Sequence, residues 1–167
     1  LGWVFGDYVA KAFGYKSGWK YWVIRVGVVV GGAVLFWFIG AAIAKVISKF
    51  LLSRPELVLK LASKWGGSKF YSYMNFLGIN PVTLMTTSGK FIGLLQNLNS
   101  QTAVYSQKWA EAICVQAQKF GMYVELHEPH ENYSYHLHVF TSTGHKIQKA
   151  HIQISKSVYE YLNKILQ

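Results

Sequence analysis

The stretch that decides the fold is residues 122–154, "MYVELHEPHENYSYHLHVFTSTGHKIQKAHIQI". Three runs in it alternate apolar and polar residues: 122–127, 135–141 and 145–154. Such alternation marks a strand with one buried face, because successive side chains point to opposite sides. Ser142-Thr143-Gly144 reads as a short turn that makes the last two runs a hairpin. All six histidines of the chain, His127, His130, His136, His138, His145 and His151, fall inside this stretch.

On either side of the strands the apolar period changes to that of a helix. Ala103, Ala110, Ile113, Cys114, Ala117 and Phe120 line one side of a predicted helix over 103–120, closed by Gly121. Val158, Tyr161, Leu162 and Ile165 do the same over 157–166. Residues 101–167 are therefore expected to form an α+β domain in the order helix, three-stranded antiparallel sheet, helix.

Further out, residues 66–100 are rich in Gly, Ser, Thr and Asn and carry Pro81, which predicts a linker with short helices or turns. Residues 1–65 read as a hydrophobic and amphipathic helical region, with a break expected at Arg54-Pro55. Within it Val26–Ala44 runs nineteen residues without a charge, between Arg25 and Lys45. That length suits either a membrane-spanning helix or a buried helix, and Gly27 with Gly31 would allow close helix packing in both cases. Lysines and arginines flank the segment on both sides, so no orientation follows.

The net charge of +10 is unevenly placed. Residues 1–100 hold eleven Lys and Arg against Asp7 and Glu56, whereas 101–167 hold six Lys against five Glu. The basic character thus belongs to the front of the chain and not to the histidine-rich part, which weakens an inference of nucleic-acid binding from charge alone. The lone Cys114 excludes an intrachain disulfide and, on the apolar side of its helix, is expected to be a buried, inert thiol. The chain opens on Leu1, so it is expected to be a piece of a longer protein.

Strand parity sorts the histidines. Tyr123, Glu125 and His127 share a face of the first strand, and His136 and His138 a face of the second. In the third, His145, Ile147, Lys149, His151 and Gln153 fall together. If the apolar sides pack on the helices, Glu125, His127, His136, His138, Lys149 and His151 converge as candidate catalytic residues, with His130 in the loop above. Three readings are open. Imidazoles can exchange protons while Lys149 stabilises an anion, without metal, as RNA cleavage through the 2′-hydroxyl requires. Alternatively His136 and His138, two apart on one strand, could offer nitrogens to one Zn²⁺, completed by His151, His127 or Glu125. The third reading is a solvated polar face. His130, Thr141 and Ser142 are candidate substrate contacts, while His145 at the hairpin mouth points toward solvent. No Arg follows Arg54, so phosphate charge would be met by lysine, protonated histidine or backbone amides.

With both features in view, "SGWKYWVIRVGVVVGGAVLFWFIGAAIAKVI" resembles the glycine-rich hydrophobic segment before the variable tip of Rhs/YD-repeat and related polymorphic toxins of Gram-positive bacteria. "VELHEPHENYSYHLHVFTSTGHKIQKAHIQI" is similar to the small His-rich toxin modules of those proteins, among which ribonucleases of the barnase/EndoU/RelE-like superclass place His and Lys on a sheet. The resemblance covers residues 15–50 and 103–160 and is one of pattern, with no strict motif. It implies a secreted or cell-surface toxin whose tip is delivered into the target-cell cytoplasm, with transient membrane contact through 26–44. It further implies a metal-independent ribonuclease using His136, His138, Lys149 and His151, and a cognate immunity protein as partner. A zinc hydrolase, and a membrane-acting toxin whose C-terminal domain only binds, are the alternatives.

Overall fold

The computed structural model describes residues 41–98, 100–147 and 151–167. In chain order the elements are α1 (Ala41–Leu52), α2 (Pro55–Leu77), a 3₁₀ turn (Pro81–Leu84), α3 (Ser88–Leu98), β1 (Ser100–Tyr105), α4 (Gln107–Lys119), β2 (Tyr123–His127), β3 (His136–Phe140), β4 (Ile152–Ile154) and α5 (Lys156–Ile165). The fold is α+β. Most of the expected hydrophobic span, residues 26–40, lies outside the described residues. Among the described residues no helix is long and apolar enough to cross a membrane.

The described residues group in two compact units. One contains 41–57 and 72–79, with Ile47, Phe50, Leu51, Met74 and Ile79 buried. The other takes 58–71 together with the chain from residue 80 onward. The stretch expected to be a linker is thus largely helical, and much of it is core: Phe70, Phe91, Leu94, Leu95 and Leu98 are buried. Its glycines and prolines act as punctuation. Pro55 opens α2, and Gly66 breaks it at φ 74°, ψ 171°, a conformation open essentially only to glycine.

In the second unit the sheet is four-stranded, in the order β1-β4-β3-β2. β1 runs parallel to β4, whereas β2–β3 and β3–β4 are antiparallel. This corrects the expected three-stranded antiparallel sheet. The fourth strand was hidden at the front of the predicted 103–120 helix, because Ala103 and Ala110 sit seven residues apart and match a helical repeat. In fact Ala103 and Tyr105 are buried while Val104 is 51% exposed, which is strand alternation. Ser106 ends it: in extended conformation, its Oγ accepts the Trp109 N–H, so the helix starts only at Gln107.

Around the sheet, packing follows from local chemistry. Leu137, Val139, Ile152 and Ile154 are buried on one face. On α4, Trp109, Ala110, Ile113 and Ala117 are buried, and the Gln116 amide donates to the Val82 and Met85 carbonyls, which ties the 3₁₀ turn to the helix. Gly121, at φ 70°, closes α4 as the sequence predicts. Ser155 Oγ accepts the Val158 N–H and caps α5. Cys114 is buried, and burial foremost, with the Glu111 charge, pushes its thiol up to about 11.

Candidate functional site

β3 is the centre of the site, and its sequence HLHVF places histidine and aliphatic side chains on opposite faces. Pairing extends this across the sheet: Glu125 stands opposite His138, His127 opposite His136, and His136 opposite Gln153. One further step along the β3–β4 register puts His151 across from His138. The expected polar face therefore forms, with Glu125, His127, His136, His138 and His151 on one side of the sheet.

This face is covered, whereas a solvated polar face was one of the expectations. His136 is 0% and His138 2% exposed. The cover is the loop between β2 and β3, where His130 and Tyr133 exchange both backbone hydrogen bonds, at 3.1 and 2.9 Å. Glu131 inside this tight turn takes φ 52°, a left-handed conformation that costs a non-glycine residue energy. The turn delivers two rings onto the sheet: Tyr133 stacks on His151 at 3.7 Å, and His130 lies 4.9 Å from His136. His130, expected above the site, thus belongs to it.

The imidazole rings are close-packed. Centroid separations are 4.2 Å for His136–His151, 4.5 Å for His138–His151, 4.8 Å for His127–His138, 5.0 Å for His136–His138 and 5.2 Å for His127–His136. The His136 Nδ1–H donates to the Ser134 carbonyl at 2.6 Å, which leaves Nε2 with the lone pair. His127 Nε2 meets Glu125 Oε2 at 3.2 Å. Among the described residues, His136 Nε2, His138 Nδ1 and His151 Nδ1 are buried without a hydrogen-bond partner.

The electrostatics keep these rings neutral. Burial holds His136 below the ordinary imidazole value, against the opposing Ser134 hydrogen bond; the His127, His130 and Lys146 charges push the same way as burial. His138 is lowered to about 3, by burial first and then by Lys146 and the neighbouring imidazoles. His151 is lowered to about 4, by burial first and then by His136, Lys146, His130 and His127. At neutral pH all three offer lone pairs rather than protons.

No protein-family model, curated protein or solved structure matches this chain.

Lys149, expected to supply positive charge, lies outside the described residues. The lysine that reaches the imidazoles among the described residues is Lys146, and a slip in pairing explains it. Phe140 pairs with Lys146, yet His136 pairs with Gln153, so the returning chain gains three residues between the two points. An odd slip reverses which side chains face the cluster. Lys146 moves onto the histidine side, and His145 and Ile147 leave it. His145 instead takes part in the turn: its N–H donates to Thr141 Oγ1, and its Nδ1 is 2.9 Å from Thr143 Oγ1. Thr141, a candidate substrate contact, thus has its hydroxyl engaged in that turn, and Ser142 is an exposed turn residue. Tyr133 and Lys146 are the residues that sequence reasoning missed. Nothing in local spacing marks either one.

Among the described residues two trios have ligand atoms within 4.8 Å of one another: His127, His136 and His138, and His130, His136 and His151. Of the expected third ligands to the His136 and His138 pair, His127 falls in one trio with both, whereas His151 joins His136 but not His138. Beside the cluster, Tyr123 and Phe140 stack at 5.2 Å and 8° on the same face, with Tyr123 44% exposed.

Proposed function

We propose that residues 100–167 are the catalytic module of a secreted toxin effector that cleaves RNA, with the imidazole cluster as its reaction centre. The observation that carries the enzymatic reading is the cluster itself. Five histidines, from β2, β3, the β2–β3 loop and the residue just before β4, are packed ring to ring, with three buried nitrogens left unpartnered among the described residues. Such an arrangement is costly to fold and contributes little to stability, which is the mark of a functional site. RNA as substrate is supported by two neighbours of the cluster. The Tyr123–Phe140 pair offers an aromatic surface of the kind on which bases stack, and Lys146 brings positive charge toward the same face. The toxin context rests on the resemblance of residues 15–50 and 103–160, and with it come an immunity protein that covers this face and membrane contact through 26–44.

Proton transfer without metal would fall to His127, paired with Glu125, and to the exposed His130, since His136 and His138 are enclosed and hard to protonate. The unpartnered nitrogens favour an ion-assisted version instead.

The test incubates the purified full chain, and its His136→Ala and His151→Ala variants, with RNA and with DNA. Fragmentation of RNA by the wild type alone is the expected result. Intact RNA under every metal condition would reject the nuclease reading. Full toxicity of residues 1–65 alone would favour a membrane-acting toxin.

A further inference from the structure

The geometry points to a single transition-metal ion of the zinc class, bound by His127, His136 and His138. The first argument is the state of the nitrogens. A buried imidazole nitrogen has given up water, and without a partner that loss is not recovered. His136 Nε2 and His138 Nδ1 are both in this condition among the described residues, on a strand that presents them to the same side of the sheet. Each of His127, His136 and His138 offers a ring nitrogen within 4.8 Å of those of the other two. Zn–N bonds of about 2.0–2.1 Å in a tetrahedral site bring nitrogens to roughly 3.4 Å, so small side-chain rotations suffice.

The second argument is the outer partners. A metal-binding histidine usually donates its other ring N–H to a carbonyl or carboxylate, which fixes the tautomer and aims the lone pair. Both forms of this support are present. The Ser134 carbonyl accepts from His136 Nδ1, and the Glu125 carboxylate accepts from His127 Nε2. Glu125 is also the cross-strand partner of His138, so pairing holds the carboxylate over the site.

Stoichiometry follows from His136. It belongs to both trios, but with Nδ1–H committed to Ser134 it has one lone pair, so only one trio can be filled at a time. The sheet trio has the stronger claim. Its three ligands stand in register on paired strands, whereas His130 is exposed on a loop. Neutral imidazole donors select zinc and its transition-metal neighbours over magnesium and calcium, which take oxygen ligands. Three protein ligands leave a fourth position open, as catalytic zinc sites do. The unpartnered His151 Nδ1, on a ring 4.5 Å from His138, is placed to hydrogen-bond whatever occupies it.

The experiment uses the full chain, stripped with chelator and titrated with Zn²⁺ by calorimetry, with Co²⁺ as a spectroscopic probe and Mg²⁺ as a contrast. One equivalent of Zn²⁺ is expected, with visible Co²⁺ absorption of a four-coordinate ion and no Mg²⁺ heat. His127→Ala, His136→Ala and His138→Ala should each abolish the Co²⁺ spectrum. His145→Ala should leave it unchanged, and His130→Ala should retain one equivalent. Because an alanine variant can fail to fold, Glu125→Gln provides a gentler probe: zinc affinity should fall by about 10–100-fold with the circular dichroism preserved. No saturable zinc binding, two equivalents, or loss on His130→Ala with retention on His127→Ala would each overturn the assignment. Zinc binding without RNA cleavage would leave the site standing and reject the nuclease reading; RNA cleavage with no saturable zinc binding would do the reverse.

Discussion

Acidification of the chelator-treated protein from about pH 7 to about pH 5 is expected to remove about 3 kcal/mol of folding stability. The reason is the enclosure of the cluster. His138, 2% exposed, is lowered to about 3, and the partly exposed His151 to about 4, whereas both revert to an ordinary imidazole value of about 6.5 when the chain unfolds. The unfolded chain therefore binds more protons through this range, so stability falls as the pH drops below about 6.5 and levels off only as the folded rings themselves titrate. Integrating between the two pH values gives about 2 kcal/mol for His138. His151 contributes about 1 kcal/mol once solvent screening at its partly exposed ring is discounted. His136 acts in the same direction. Against a typical stability of about 5–15 kcal/mol, this is a large fraction. Urea unfolding at both pH values, followed by tryptophan fluorescence, measures the change through the midpoint at constant slope. Replacing His138 with Asn should flatten most of the pH dependence, whatever it does to stability at neutral pH. A midpoint that holds steady or rises on acidification would refute the reasoning, since it would mean that the rings are solvated.

Three further outcomes follow from the packing. Leu137→Ala, at a fully buried position on β3, one of the two inner strands, should lower stability by about 2–5 kcal/mol, and a smaller loss would show that the sheet is not tightly packed on its apolar side. Gln116→Ala removes the side-chain donor to the Met85 and Val82 carbonyls, of which Val82 keeps the Met85 N–H, and should cost about 1–3 kcal/mol in the same urea measurement. Glu131→Gly relieves the left-handed backbone in the turn over the cluster, and after glycine's own entropy cost a gain of about 0.5 kcal/mol is expected; a loss would mean that the Glu131 side chain supports the turn.

Short-range periodicity was enough for much of the fold, although among the described residues of the alternating run 145–154 only Ile152–Ile154 is a strand. Alternation over 122–127 and 135–141 located β2 and β3, helical spacing located α4 and α5, and parity placed Glu125, His127, His136 and His138 on one side. Those features depend only on which way successive side chains point, and that is a property of the local backbone. Tertiary structure decided the rest. β1 is a strand because β4 is there to pair with it, and its alanine spacing fits a helix equally well. The three-residue slip between Phe140–Lys146 and His136–Gln153 exchanged His145 for Lys146, and no local pattern marks it. Above all, a polar strand face reads the same whether water or a loop covers it. Only the fold of His130–Tyr133 back over the sheet turned a row of histidines into an enclosed cluster with lone pairs and no partners among the described residues.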